Sequence, residues 1–501
     1  MYTPSGDLSE QSASTLIYSL GRMRAQWHGC TAEPGSALSR RACARLSTIA
    51  ERNLCSMTEQ GVCNTLLGLA RMGASWRRLQ PRLRYSASLS LHGVMATIES
   101  QGVSNALWSL AAMGVDWHED LNAHHALSQA LSSRLSALGN PLGAQALATS
   151  MHSLAKMGAS YSALDEGIRA AFASSMIAEG ASMSALEVST VLYGLGRMSA
   201  DMKSLPPGVQ DAVLAMTERT CRGMNEQELG HTIWSLVGQM GVGYSGLPPL
   251  LQEGLRAAIA HSTLTKASVV AVLQGLAKAR DTAWREVPPD VRQRVLLSVI
   301  AIAAAESEAA SDSGDRALFS SITLLMFGKL GVDWASNDLC VDTPDPLAHP
   351  CARSCMLALF SAFVQQLRDG GEPLRSARPG RVVSNVFSGF ALTASSWPTL
   401  DPRAQQLLCE CVTSARVLAA LNCNELATAL WSLGRLGFVL PSLPEEQQQP
   451  LLLRLERTLP EMSAYEVTWT LWSLGQLLLP YNSAPASLRR ALADALSRQV
   501  T

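Results

Sequence analysis

Apolar residues along this chain recur at the helical spacing i, i+3, i+4, i+7 and do not alternate, so the pattern predicts helices and no strands. The stretch SNALWSLAAMG, Ser104 to Gly114, shows the rule. With Leu110 as origin and about 100° per residue, Val103, Ala106, Leu107 and Met113 fall within roughly 60° of it. That broad apolar face predicts burial against a second helix. Ser109 and Ala111 flank the face, and Gln101, Asn105, Trp108 and Ala112 lie opposite it, at i, i+4, i+7 and i+11.

The pattern repeats. Relatives of the stretch begin at Asn64 (NTLLGLARMG), Thr428 (TALWSLGRLG) and Thr468 (TWTLWSLGQL). The anchor position recurs at Leu20, Leu69, Leu110, Leu154, Leu195, Leu236, Leu276, Phe327, Phe390, Leu433 and Leu474, mostly 40 to 44 residues apart. Such a period predicts an all-α solenoid of about eleven helix-turn-helix repeats of roughly 40 residues, none able to bury its apolar face alone. Residues 1–285 and 401–501 carry regular repeats. Residues 286–400 carry degenerate ones, with polar insertions at Ala305–Arg316 and Arg368–Arg381.

Within each repeat the first helix, A, opens on a capping box: Ser184 with Glu187, Asn225 with Glu228, Asn422 with Glu425, Ser463 with Glu466. It closes near a glycine, as at Gly73, Gly114, Gly158 and Gly437. Four residues after the preceding Met/Leu position an aromatic follows, expected to plug the turn: Trp27, Trp76, Trp117, Tyr161, Tyr244, Trp334, Trp397 and Tyr481. An amphipathic helix B completes the unit. The columns flanking the anchor hold Ser, Gly or Ala almost throughout, which lets neighbouring A helices come close.

The sector opposite the core has a character of its own. Its first column is rich in amides: Gln11, Gln60, Gln101, Gln145, Gln227 and Asn424. The second holds short hydrogen-bonding groups: Thr15, Asn64, Asn105, Thr149, Thr190, His231, Asn385 and Thr428. The third is aromatic or imidazole: Tyr18, Trp108, His152, Tyr193, Trp234, Trp431 and Trp472. The fourth is basic: Arg22, Arg71, Lys156, Arg197, Lys278, Lys329 and Arg435. Rings offer stacking platforms for bases, amides and hydroxyls read base edges, and one cation per repeat follows phosphates, which is the chemistry of single-stranded RNA recognition. The stripe fades at Ala271, Gln274, Leu325, Ser388 and Leu392, so binding is expected from the first six and last two repeats, the centre serving as a spacer or a surface for other proteins. Each column has a plainer reading. A cation in the last turn favours the helix dipole, a ring can wedge between helices, and a glutamine can be solvated surface.

Bulk properties narrow the field. The 501 residues carry a net charge of −1, with 47% hydrophobic and 16% charged residues, so any nucleic-acid surface is local. The eleven cysteines include no CxxC pair, and Cys340, His349, Cys351 and Cys355 lack zinc-finger spacing; no metal or cofactor is expected. GVGYSG, Gly241 to Gly246, follows a helix rather than a strand and is an inter-helix turn, not a nucleotide loop. His124 and His125 have no carboxylate or cysteine at ligand spacing, and no nucleophile–base pair stands out, so no catalysis is expected. The apolar run Val295 to Ala305 is too short to span a membrane. Repeat-like sequence reaches both ends and no transit segment precedes it, so the chain is expected to be part of a longer product.

The phrase NALWSLAAMG, followed by a Trp and an amphipathic helix, resembles the octotricopeptide-type repeats of organellar RNA-binding proteins. It is also similar to the helical repeats of FAST-kinase-like proteins and of kinetoplastid RNA-editing complex subunits. The resemblance implies a mitochondrial or chloroplast protein acting on RNA stability, processing or translation. The rival expectation is an armadillo- or HEAT-like scaffold for protein partners.

Overall fold

The computed structural model describes residues 8–27, 38–95, 97–118, 141–279, 287–308, 313–330, 332, 379–393, 396–400 and 402–500. Its elements are helices, with no strand among the described residues. They pair into helix-turn-helix units, as the period predicts. The A helices of the first six repeats are Glu10–Arg22, Glu59–Arg71, Ser100–Ala112, Ala144–Lys156, Ala185–Arg197 and Glu226–Thr232. Those of the remaining five are Lys266–Lys278, Ser313–Lys329, Pro379–Leu392, Cys423–Leu436 and Ala464–Gln476. Two compact units result. One holds Met1–Val242 with Leu247–Ala258, the other Gly243–Gly246 with Ile259–Thr501. Inside each unit consecutive A helices pack side by side in one layer and B helices in a second.

The apolar pattern builds these layers. Val103, Ala106, Leu107, Leu110 and Met113 are all buried, as the wheel requires. Burying a Leu-sized side chain contributes about 1.5–3 kcal/mol, and every regular repeat brings several. All four capping boxes form: the Ser or Asn accepts from the N3 amide while the N3 Glu accepts from the cap amide. The small flanking columns do what their size suggests. A Cβ on Gly21 would lie 2.8 Å from the Gly68 carbonyl oxygen, and one on Gly68 would lie 2.5 Å from that of Ile17. Ser109, Ser153 and Ser432 fit the same columns by donating to the carbonyl four residues back.

The aromatic after helix A has a further role in the backbone. The Trp27 amide donates to the Met72 carbonyl (2.7 Å), Trp76 to Met113 (2.9 Å), Trp117 to Met157 (2.8 Å) and Tyr161 to Met198 (2.9 Å). Each bond joins one repeat's turn to the C-terminal carbonyl of the next A helix. Trp27, Trp76, Trp117, Tyr161 and Tyr244 are buried as plugs. Tyr481 departs from that expectation: it is 57% exposed. Trp334 lies outside the described residues, as do the Cys340–Cys355 cluster, His124 and His125.

The sixth A helix differs from the regular expectation. Its motif reads WSLVGQMG where others read WSLxxMG, one residue longer. The chain absorbs the extra residue as a π-helix over Ile233–Gln239, with the Met240 amide donating to Ser235 at 2.8 Å. Among the described residues no helix is long and apolar enough to cross a membrane.

Candidate functional site

In each unit the face of the A helices opposite the core is open. None of the stripe residues named from the sequence is buried. Gln11, Gln60, Gln101, Gln145, Gln227 and Asn424 are exposed. So are Thr15, Arg22, Arg71, Lys156, Arg197 and Arg435. Asn64, Asn105, Thr149, Thr190, His231 and Thr428 are half-buried, as are Tyr18, His152, Tyr193, Trp234 and Trp431. Trp108 is 37% and Trp472 43% exposed. The columns follow from helix geometry: successive members lie four, three and four residues apart, so they share one side.

Three grooves cross this face. Gln11, Thr15, Gln60 and Asn64 line a cavity of about 480 Å³ between the first two A helices. Arg22, Arg24, Arg71 and Trp108 line one of about 800 Å³ at the C-terminal ends of the first three. In the second unit, Asn424, Thr428 and Trp431 line one of about 280 Å³ with Tyr465, Glu466 and Trp469.

The rings do not all stand apart. His152, Tyr193, His231 and Trp234 form a ladder over three repeats. Tyr193 lies 5.8 Å from His152, 4.4 Å from His231 and 5.4 Å from Trp234, between centroids. Burial lowers the pKa of His152 below its ordinary 6.5, with Lys156 and Arg197 pushing the same way. Burial likewise lowers that of His231, helped by His152 and opposed by Glu228. The hydroxyls of Thr190 and Thr428 donate to Leu186 (2.6 Å) and Asn424 (2.7 Å), which leaves them acceptors toward a ligand.

Some cations are tied to carbonyls and others are not; among the described residues the B-helix side chains of Arg45, Arg82 and Arg490 make no hydrogen bond or ion pair. Other B-helix arginines staple the loop between repeats: Arg219 donates to Gly180 and Met183, Arg294 to Ser262, and Arg498 to Pro460 and Leu459. On the A stripe, Arg22, Lys156 and Arg197 make no side-chain hydrogen bond or ion pair among the described residues. Arg71 lies over the Tyr18 ring at 5.4 Å. Arg435 is the exception: its Nε donates to the Ala391 carbonyl at 2.9 Å, and its guanidinium lies 5.6 Å from the Trp431 ring centre. That bond ties the side chain to the end of the preceding A helix.

Sequence reading passed over two residues. Tyr465 and Trp469 stand nine and five residues before Leu474, the offsets of Gln101 and Asn105 before Leu110. Tyr465 is 69% exposed, and Trp469 touches Tyr465 and Trp472 edge-on at 6.0 and 5.8 Å. Counting offsets from the anchor rather than looking for amides finds both. Among the described residues no group of three or more His, Cys, Asp or Glu can hold a metal ion.

No protein-family model and no curated protein matches this chain. Among solved structures it is similar to a homology model of the full-length AP-3 complex in an intermediate open conformation, at 12% identity and TM-score 0.40, covering 99% of this chain and 94% of that one. Importin beta in an ammonium sulfate condition gives 11% and 0.22, covering 97% and 61%. A circular tandem repeat protein with novel repeat topology gives 11% and 0.22, covering 99% and 97%. Likenesses at this level carry no functional argument. The chain is an all-α helical-repeat protein on the strength of its own helices.

Proposed function

We propose that this protein binds single-stranded RNA along the A-helix stripe. One observation carries the reading: along the A helices of the first unit, amides, rings and cations share one open face, all three together on the first and fourth, and Arg22, Lys156 and Arg197 make no side-chain hydrogen bond among the described residues. The core does not need these side chains there, whereas the B-helix residues Arg219, Arg294 and Arg498 are tied to loop carbonyls. Stacking on an exposed ring is worth about 1–3 kcal/mol per base, and each phosphate contact adds a salt-dependent term. The role is one of binding, without catalysis. The organellar place of action, mitochondrion or chloroplast, belongs to the same proposal and rests on the sequence resemblance alone.

A second reading, a scaffold for protein partners, is favoured by the closed ring ladder at Tyr193 and by the bonding of Arg435 to Ala391. Stacked extended repeats serve such scaffolds equally well. Filter binding to a random RNA pool at several salt concentrations separates the two. Replacing Arg22, Arg71, Lys156 and Arg197 with Gln is expected to weaken binding to every sequence and to flatten log affinity against log salt, by about one slope unit per lost phosphate contact. Replacing Asn105 is expected to change preference at one base and leave that slope alone. A folded wild-type chain that retains no RNA at low salt would put the protein scaffold ahead.

A further inference from the structure

The groove at the ends of the first three A helices is unlike the rest of the stripe. It gathers three guanidinium groups, Arg22, Arg24 and Arg71, beside one indole, Trp108, and no acidic residue lines it. Further along the unit, the fourth and fifth A helices bring one cation each, Lys156 and Arg197, and the sixth brings no Lys or Arg.

Helix capping does not account for the three arginines. Several of the carbonyls near the ends of the first two helices already have backbone donors. Gly21 accepts from Arg24 N (3.1 Å), Leu20 from Ala25 N (3.1 Å), Ala70 from Gly73 N (3.0 Å) and Met72 from Trp27 N (2.7 Å). Arg22 and Arg24 donate no side-chain hydrogen bond among the described residues, whereas Arg435 holds the Ala391 carbonyl. The backbone of Arg24 is also unusual. Its φ is +58°, at the position where the next three repeats place Gly73, Gly114 and Gly158 with φ of +74° to +86°. A residue with a side chain is disfavoured there, yet here it adds a third guanidinium to the groove.

The charge suits a particular group. An internal phosphodiester carries one negative charge, which a single cation such as Lys156 or Arg197 matches. A terminal phosphomonoester carries about −1.5 to −2, with three acceptor oxygens. Guanidinium forks bind such oxygens by paired, charge-assisted hydrogen bonds. Trp108 offers a face for the attached base. We propose that this groove is a site for a terminal phosphomonoester, the phosphorylated end of an RNA strand, with its nucleoside against Trp108. The inference rests on the RNA reading for its macromolecule but not for its chemistry.

The test uses the full chain and five probes: one internally labelled oligoribonucleotide with a 5′-phosphate, with a 3′-phosphate, or with hydroxyls at both ends, and adenosine 5′-monophosphate and adenosine. Anisotropy reads the first three and calorimetry the last two. One phosphorylated end is expected to bind roughly tenfold tighter than the hydroxyl-ended strand at equal salt, about 1.4 kcal/mol. The 5′ and 3′ arms say which end. Arg24→Gly, which suits the backbone, is expected to abolish that preference, so that phosphorylated and hydroxyl-ended strands bind the variant equally. Equal affinity for all three strands, or a preference that survives Arg24→Gly, overturns the proposal. If no strand binds, the RNA reading falls. The phosphate site then stands only if the monophosphate binds saturably, adenosine does not, and Arg24→Gly removes the difference; without that discrimination it falls as well.

Discussion

The ring of Tyr193 lies 4.4 Å from that of His231 and 5.8 Å from that of His152, so two imidazoles of neighbouring repeats enclose one phenol. Burial holds both imidazoles below their ordinary 6.5, and the charges of Lys156 and Arg197 deepen the effect at His152. The folded state therefore binds fewer protons than the unfolded one as pH falls below 6.5. Stability is full above that value and declines on acidification. The melting temperature is expected to drop between pH 7 and 5, and the drop to shrink in the double variant His152→Phe, His231→Phe, which keeps two rings and removes both titrations. Equal slopes in the two proteins would take the imidazoles out of the account.

Close approach of A helices gives a sharper contrast. A Cβ on Gly68 would sit 2.5 Å from the Ile17 carbonyl oxygen, a backbone atom that cannot rotate away. Gly68→Ala is expected to cost about 1–3 kcal/mol as the helices move apart. Gly475 sits inside the last A helix, and a methyl added there would meet nothing within 4 Å. There the same change is expected to stabilise by about 0.5–1 kcal/mol, because alanine favours helix interiors. Urea titrations of the two variants should shift in opposite directions, and parallel shifts would contradict the packing.

The left-handed turn after helix A makes a third case. Glycine fills it at Gly73, Gly114, Gly158 and Gly437, but Ser199 and Leu478 adopt φ of +56° and +57°. Leu478 is largely exposed, so little burial is lost with its side chain. Leu478→Gly is expected to raise stability by about 1 kcal/mol, the order of the left-handed penalty for a residue with a Cβ. A lower urea midpoint in this variant would mean that the leucine contributes packing which its exposure does not suggest.

Much of the fold was legible because the motif is repeated. Leu110 and its equivalents align with one another, and that register alone separates core, flank and open columns. Capping boxes such as Ser184 with Glu187 were legible because they are local, three residues apart. What stayed hidden was long-range. The bond from Trp27 N to the Met72 carbonyl joins residues of different repeats, and no sequence spacing announces it. The ladder at Tyr193 and the bond from Arg435 to Ala391 depend on how neighbouring helices are turned, which a single-helix wheel does not contain. The π-helix at Ile233–Gln239 was visible as one extra residue in WSLVGQMG, a signal that counting from the anchor alone passes over.

The two kinds of helix position should separate in a single pair of variants. Leu110 is buried between the layers, while Arg197, on the opposite face of its own helix, is exposed without a side-chain hydrogen bond among the described residues. Leu110→Ala removes several buried methyl and methylene groups and leaves a cavity that the stacked helices close only in part, so a loss of about 2–5 kcal/mol is expected. Arg197→Ala removes a solvated charge near the last turn of its helix, where the cation contributes about 0.3–1 kcal/mol through the helix dipole. Circular dichroism melts of the two proteins should therefore differ by several degrees, with Leu110→Ala far lower. The order is expected to reverse in RNA binding at moderate salt: Arg197→Ala binds more weakly than wild type, and Leu110→Ala keeps its affinity at temperatures where it remains folded. Equal losses in melting temperature would mean that Arg197 belongs to the packing of the repeat and that the open face has been assigned to the wrong side of the helix.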